Sequence, residues 1–112
     1  MEKETDLFGL CPYYTSQRVL AGKWALIILH HLEEGTLRFK ELERRLAPIT
    51  QATLTKQLRN LEAYGLVKRK VYQQIPPKVE YSLSDLGNEF RPVLSTLKEW
   101  GEKYNGYLET QK

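Results

Sequence analysis

The sequence predicts a mainly α-helical domain with one small β-hairpin, an α+β arrangement. Three observations carry this expectation. Leucine-centred stripes recur at spacings of three and four, as in "TQATLTKQLRNLEAYG", the period of a helix with one buried face. One segment breaks that period. "LVKRKVYQQIPPKVEYSLS", Leu66 to Ser84, alternates apolar and polar residues on two arms around a pair of prolines, as two strands and their connection do. Finally, 112 residues with 41% hydrophobic and 28% charged side chains suit a single domain with one modest core.

The elements follow in order. Residues 1–10, "MEKETDLFGL", are acidic and lack the basic-then-apolar pattern of a signal peptide. They read as a tail ahead of one domain over residues 11–108. Pro12 suits a first helical position, where no N–H is required, and so places Cys11 near the N-cap. That helix runs from about Tyr13 to Leu20 and ends around Gly22. A second spans Lys23 to Glu34, with Trp24, Ile27, Ile28, Leu29 and Leu32 on a wide apolar face and Gly35 as its stop. "TLRF", Thr36 to Phe39, is a short extended piece. "FKELERRLA" is a third helix that buries Phe39, Leu42 and Leu46, and Pro48 ends it.

The fourth helix, about residues 50–64, is capped by Thr50 and stopped by Gly65. Leu54, Leu58 and Leu61 form its buried stripe, and Ala52, Thr53, Lys56, Arg59 and Asn60 lie on the opposite side. In the hairpin, about 67–83, Val67, Arg69 and Val71 alternate with Lys68, Lys70 and Tyr72. On the second arm Val79, Tyr81 and Leu83 alternate with Lys78, Glu80 and Ser82. Pro76 and Pro77 cannot donate ladder hydrogen bonds and belong to the connection. Ser84 caps a last helical region, about 84–108. Its apolar positions include Phe90, Val93, Leu97, Trp100 and Tyr104, and Pro92 should kink it or split it in two.

The net charge of +3 conceals an uneven distribution. Residues 38–78 hold ten Lys/Arg against three Glu, whereas residues 1–37 and 79–112 each carry a balance of −2. A basic middle between acidic ends points to a localised surface for a polyanion. No apolar run approaches the ~20 residues of a membrane span, so no membrane partner is expected. The single cysteine rules out an internal disulfide framework and fits a reducing cytosol. No nucleophile–base pair, Gly-rich phosphate loop or paired carboxylate is visible, which argues against an enzyme. His30 and His31 are adjacent and cannot chelate together at the i, i+4 spacing, so no metal and no cofactor is expected.

Helices three and four, joined by the tight turn "APIT", make a helix-turn-helix, whose second helix enters the major groove of duplex DNA. A basic hairpin directly after it makes a winged helix. Its proline-stiffened tip would reach to a neighbouring groove or the backbone, with Lys68, Lys70 and Lys78 on phosphates. Arg69, on the other face, is free to turn inward and pair with an acidic side chain. The alternative is a winged-helix interaction module whose basic face meets an acidic protein.

"CPYYTSQRVLAGKWALIILHHL", "RFKELERRL", "ITQATLTKQLRNLEAYGLVKR" and "IPPKVEYSLSDLG" resemble the HxlR family of bacterial winged-helix regulators, relatives of the MarR group. The resemblance covers about Cys11 to Tyr104. It implies a homodimeric DNA-binding transcriptional regulator of the bacterial cytoplasm, with an effector it does not specify. It places Thr50, Gln51, Thr53, Thr55 and Lys56 on the groove-facing part of the recognition helix. Arg59 and Asn60 then lie near phosphates, Arg38 at the backbone ahead of the third helix, and Lys78 in the wing. By hydrogen-bonding geometry Lys56 suits guanine and Gln51 adenine.

The resemblance also implies a dimer built from the first and last helices, with Tyr13, Tyr14, Val93, Leu97, Trp100 and Tyr104 at the interface. The competing arrangement packs Trp100 back on the first helix of its own chain. Cys11 occupies a position that some relatives use as a thiol switch. Helix N-termini favour a thiolate, and a small buried hydrophobe under the interface is the other reading. The second cysteine with which such relatives often pair it is absent, leaving Cys11 of a partner chain or a mixed disulfide.

Overall fold

The structure, a computed structural model, describes residues 7–112. Of the tail expected over residues 1–10, residues 1–6 lie outside the described residues. Leu7 to Leu10 form a turn in which the N–H groups of Leu10 and Cys11 both donate to the Leu7 carbonyl. The elements are α1 (Pro12–Val19), α2 (Ala25–Leu32), β1 (Leu37–Arg38), α3 (Phe39–Arg45), α4 (Gln51–Ala63), β2 (Val67–Tyr72), β3 (Lys78–Leu83), α5 (Asp85–Asn88) and α6 (Arg91–Thr110).

Local chemistry sets most of these limits. Pro12 stands in the first turn of α1 with Cys11 at its N-cap. Gly65, at φ 83°, takes the left-handed conformation that ends α4. The Ser84 hydroxyl accepts from the Gly87 N–H at 3.0 Å and opens α5. Pro92 falls in the first turn of α6, where its missing N–H costs nothing. The last helical region is accordingly split in two, and its second part runs on to Thr110 rather than ending near residue 108.

The core is leucine-rich: Ile28, Leu29, Leu32, Leu42, Leu54, Leu58 and Leu61 are almost fully buried. Each such side chain contributes roughly 1.5–3 kcal/mol relative to exposure. The second helix is shorter than expected, and its core face differs. Ala25 is buried, whereas Ile27 is 38% exposed. Ile27 lies off the face that meets the core and shares a groove with Leu94 and Leu97 of the last helix.

The sheet has three strands, not the two of a hairpin alone, because "LR" at 37–38 adds an edge. The order is β1-β3-β2, antiparallel throughout. Leu37 pairs with Tyr81 and Arg38 with Glu80; Val67 pairs with Leu83, Arg69 with Tyr81, and Lys70 with Glu80. With a period of two, Leu37, Val67, Tyr81 and Leu83 face the core. Val71, on the same face, is 51% exposed, because it lies at the wing end where no helix covers the sheet.

α6 projects from this body. Of its 20 residues only Leu94 is buried. Its start is tied down by Arg91, whose Nη1 donates to the Glu33 carbonyl at 3.0 Å and whose Nε donates to Asn88 Oδ1 at 2.8 Å. The radius of gyration, 16.0 Å, exceeds the roughly 13 Å of a compact chain of similar length.

Candidate nucleic-acid interface

α3 and α4 are joined by residues 46–50, with Leu46 and Ile49 buried beneath the turn. Thr50 fixes the start of α4. Its Oγ1 accepts from the Thr53 N–H at 3.1 Å and its hydroxyl donates to Thr53 Oγ1 at 2.9 Å. Both lone polar groups are thereby engaged at the helix entrance. Burial of Leu54, Leu58 and Leu61 rotates the opposite side of α4 outward. Gln51, Ala52, Thr53, Lys56, Arg59 and Asn60 are exposed there, and Thr55 is half-buried at the margin.

A second contact steadies α4 from behind. Gly22, at φ 104°, lies against the Gln57 amide; a Cβ there would stand 2.6 Å from Gln57 Nε2. Further along, Glu62 Oε1 meets Arg69 Nε at 3.2 Å, and Arg59 Nε lies 4.0 Å from Glu62 Oε2. Arg69 therefore does turn toward an acidic side chain, bonding the wing to the recognition helix. The turn ahead of α1 reaches the same end of α4: the Phe8 and Tyr64 rings are 6.1 Å apart, and Arg18 stacks over Phe8 at 5.5 Å.

On the wing, strand pairing puts Arg38, Lys68, Lys70 and Lys78 on the outer face of the sheet. Glu80 sits among them as the direct cross-strand neighbour of both Arg38 and Lys70. It accepts from the Tyr72 hydroxyl at 2.8 Å and lies 3.6 Å from Lys78 Nζ. The Tyr72 hydrogen bond, with Lys78 and Arg38 nearby, holds its carboxyl below the ordinary value of 4.5. Lys70 and Lys78 stack over the Tyr72 ring at 4.9 and 4.3 Å. Lys78 is thus partly neutralised, whereas Lys68 and Lys70 have no carboxylate within ion-pair distance among the described residues. The grouping of Tyr72 with Glu80 was not apparent in the sequence, since only the register places them together.

Of the interface candidates on the outer helices, Tyr13 is 85% exposed, Trp100 63% and Tyr104 45%, with Val93 and Leu97 also exposed. Tyr14 is half-buried and receives a long hydrogen bond from Arg18. Trp100 stacks on Tyr104 at 5.3 Å and does not fold back on α1. Cys11 is a free, half-buried thiol. Among the described residues no group of three His, Cys, Asp or Glu side chains could hold a metal ion, and no helix is long and apolar enough to cross a membrane.

A helix-turn-helix with an exposed polar second helix and a basic β-wing defines a winged-helix DNA-binding transcriptional regulator. The chain belongs to the HxlR-like helix-turn-helix family, which it matches over residues 19–109. It is 44% identical to YdeP, an HTH-type transcriptional regulator of Bacillus subtilis, over 97% of this chain and 85% of that one. Among solved structures it is similar to the redox regulator HypR in its reduced form, with a TM-score of 0.84 and 46% identity over 88% of this chain and 98% of that one. The reduced form of the transcriptional regulator YodB from B. subtilis superposes with a TM-score of 0.73 at 31% identity, covering 85% and 94% of the two chains.

Proposed function

We propose that the protein acts as a homodimer on a palindromic operator in the cytoplasm. Gln51, Thr53, Thr55 and Lys56 read bases, Thr50 sets the entrance of the reading helix, and Arg38, Arg59, Asn60, Lys68, Lys70 and Lys78 contact phosphates. The single observation that carries the reading is the outward face of α4, which is polar, non-acidic and fixed by a hydroxyl cap at its groove-facing end. The exposed apolar length of α6 supports a partner of the same chain. A two-fold axis would cover it with its own copy and would set two recognition helices about one helical turn, ~10 bp, apart.

The test compares Lys56→Ala and Lys78→Ala on an operator obtained by selection from genomic fragments and on its scrambled counterpart. Lys56→Ala should lower affinity for the operator by about 1–3 kcal/mol and leave the scrambled duplex nearly unaffected. Lys78→Ala should weaken both alike, and modestly, because Glu80 already shares its charge. Equal losses for both variants on both duplexes would contradict base reading by α4 and favour the interaction-module alternative.

A redox-responsive mode is supported by the similarity to HypR and YodB, together with a free thiol at the N-cap of α1. Here Cys11 senses oxidants through a bond to the partner's copy or to a small thiol.

A further inference from the structure

Lys40 and Arg44 lie one turn apart on the exposed side of α3, and neither has a carboxylate within ion-pair distance among the described residues. Their neighbour Arg45, by contrast, bonds Glu34 at 2.6 Å. Like charges at i and i+4 repel on a helix surface, so α3 alone gains nothing from the pair. Of the two acids between them, Glu41 is engaged elsewhere, its Oε1 accepting from the Arg38 N–H at 2.9 Å, and Glu43 makes no ion pair with either cation among the described residues. Both cations line a cleft of about 750 Å³ between α3 and the wing, and Arg38, Lys78, Pro76, Pro77 and the Glu41 carboxylate held by the Arg38 N–H line it too. The cations come from three elements, β1, α3 and β3, and that of β3 joins the others only in the folded chain.

The walls differ in chemistry. α3 supplies cations with fork and ammonium donors. The wing tip supplies two proline rings, which have no N–H to offer and present apolar carbon. A small inorganic anion would use only the first wall. A sugar-phosphate chain uses both, with phosphate oxygens on the cations and deoxyribose against the prolines.

We propose that this cleft seats a stretch of DNA backbone, making Lys40 and Arg44 phosphate contacts beyond those of the recognition helix and the outer sheet face. The proposal rests on the DNA-binding reading above.

The experiment measures the affinity of the full chain and of its Lys40→Ala/Arg44→Ala variant for a mixed-sequence duplex across a salt series. Circular dichroism melts confirm that the variant is folded. The slope of log affinity against log salt should become shallower by about 1.8 for each bound chain, or ~0.9 for each phosphate released. The Lys40→Arg/Arg44→Lys variant should restore the wild-type slope. An unchanged slope alongside ordinary wild-type binding would overturn the cleft and leave the DNA reading standing, whereas wild-type protein without salt-dependent binding would remove both. Single neutral methylphosphonate links, walked along the duplex, give a second readout. Links that weaken the wild type but not the double variant locate the backbone in the cleft, and finding none would contradict it.

Discussion

Thr50 shows how one side chain sets the start of a helix. Its hydroxyl satisfies an N–H that the first turn of α4 would otherwise leave unpaired. Thr50→Ala should cost about 1 kcal/mol in chemical denaturation, and Thr50→Ser should retain most of it. A variant as stable as the wild type would mean that buried leucines alone hold the helix entrance. Thr50 was legible in advance because capping depends on neighbours three residues away. Glu80 was not, because its partners Arg38 and Lys70 lie on two other strands. Gly87 belongs with Glu80: it is buried, and a Cβ there would collide with the Leu66 carbonyl oxygen. Gly87→Ala should therefore lower the melting temperature by several degrees, whereas an unchanged melt would show that the α5 turn shifts freely. Within a short helix this glycine carried no local signal.

At the scale of elements, α6 is the one that leaves the longest apolar stripe exposed. Val93, Leu97, Trp100, Tyr104, Tyr107 and Leu108 are all between 40% and 63% exposed, and an apolar stripe of that length is rare on a solitary domain. Trp100→Glu placed in its middle should convert a two-chain species at micromolar concentration into a single chain, read by size-exclusion with light scattering. Binding to paired half-sites should fall with it, while the thermal unfolding of each chain changes little. A wild-type protein that runs as one chain would remove the paired-half-site model. The apolar spacing of this helix was plain in the sequence. Whether Trp100 turned inward to α1 or outward was not, because both satisfy the same 3.6-residue period. In the structure Trp100 is mostly exposed and stacks on Tyr104 of its own helix, and the start of α6 is held by the two hydrogen bonds of Arg91.

At the scale of the molecule, the basic middle of the chain divides into cations that face a carboxylate and cations that do not. Arg45 and Arg69 bond carboxylates closely, and Arg59 and Lys78 lie near one while keeping the rest of their donors for a phosphate. Arg38, Lys40, Arg44, Lys56, Lys68 and Lys70 have no carboxylate within ion-pair distance among the described residues. The turn at Leu7 to Leu10 packs Phe8 against Tyr64 at the C-terminal end of α4, and the Cys11 N–H donates to the Leu7 carbonyl of that turn. The proposed thiol switch would act through this contact. Diamide should lower the DNA affinity of the wild type by about tenfold, or ~1.4 kcal/mol, and leave a Cys11→Ser variant unchanged. A serine variant that loses affinity equally would dispose of the thiol switch.

The sequence by itself determined the order of the helices, their caps and stops, the strand alternation and the concentration of positive charge, because each depends on residues within a turn or two of one another. Only the tertiary structure decided which arginines are neutralised, that β1 adds a third strand beside β3, that Trp100 faces outward, and that cations of α3 meet prolines of the wing. Those outcomes depend on pairings between residues far apart in the chain, and such pairings are fixed by packing the whole core at once, which no local period records.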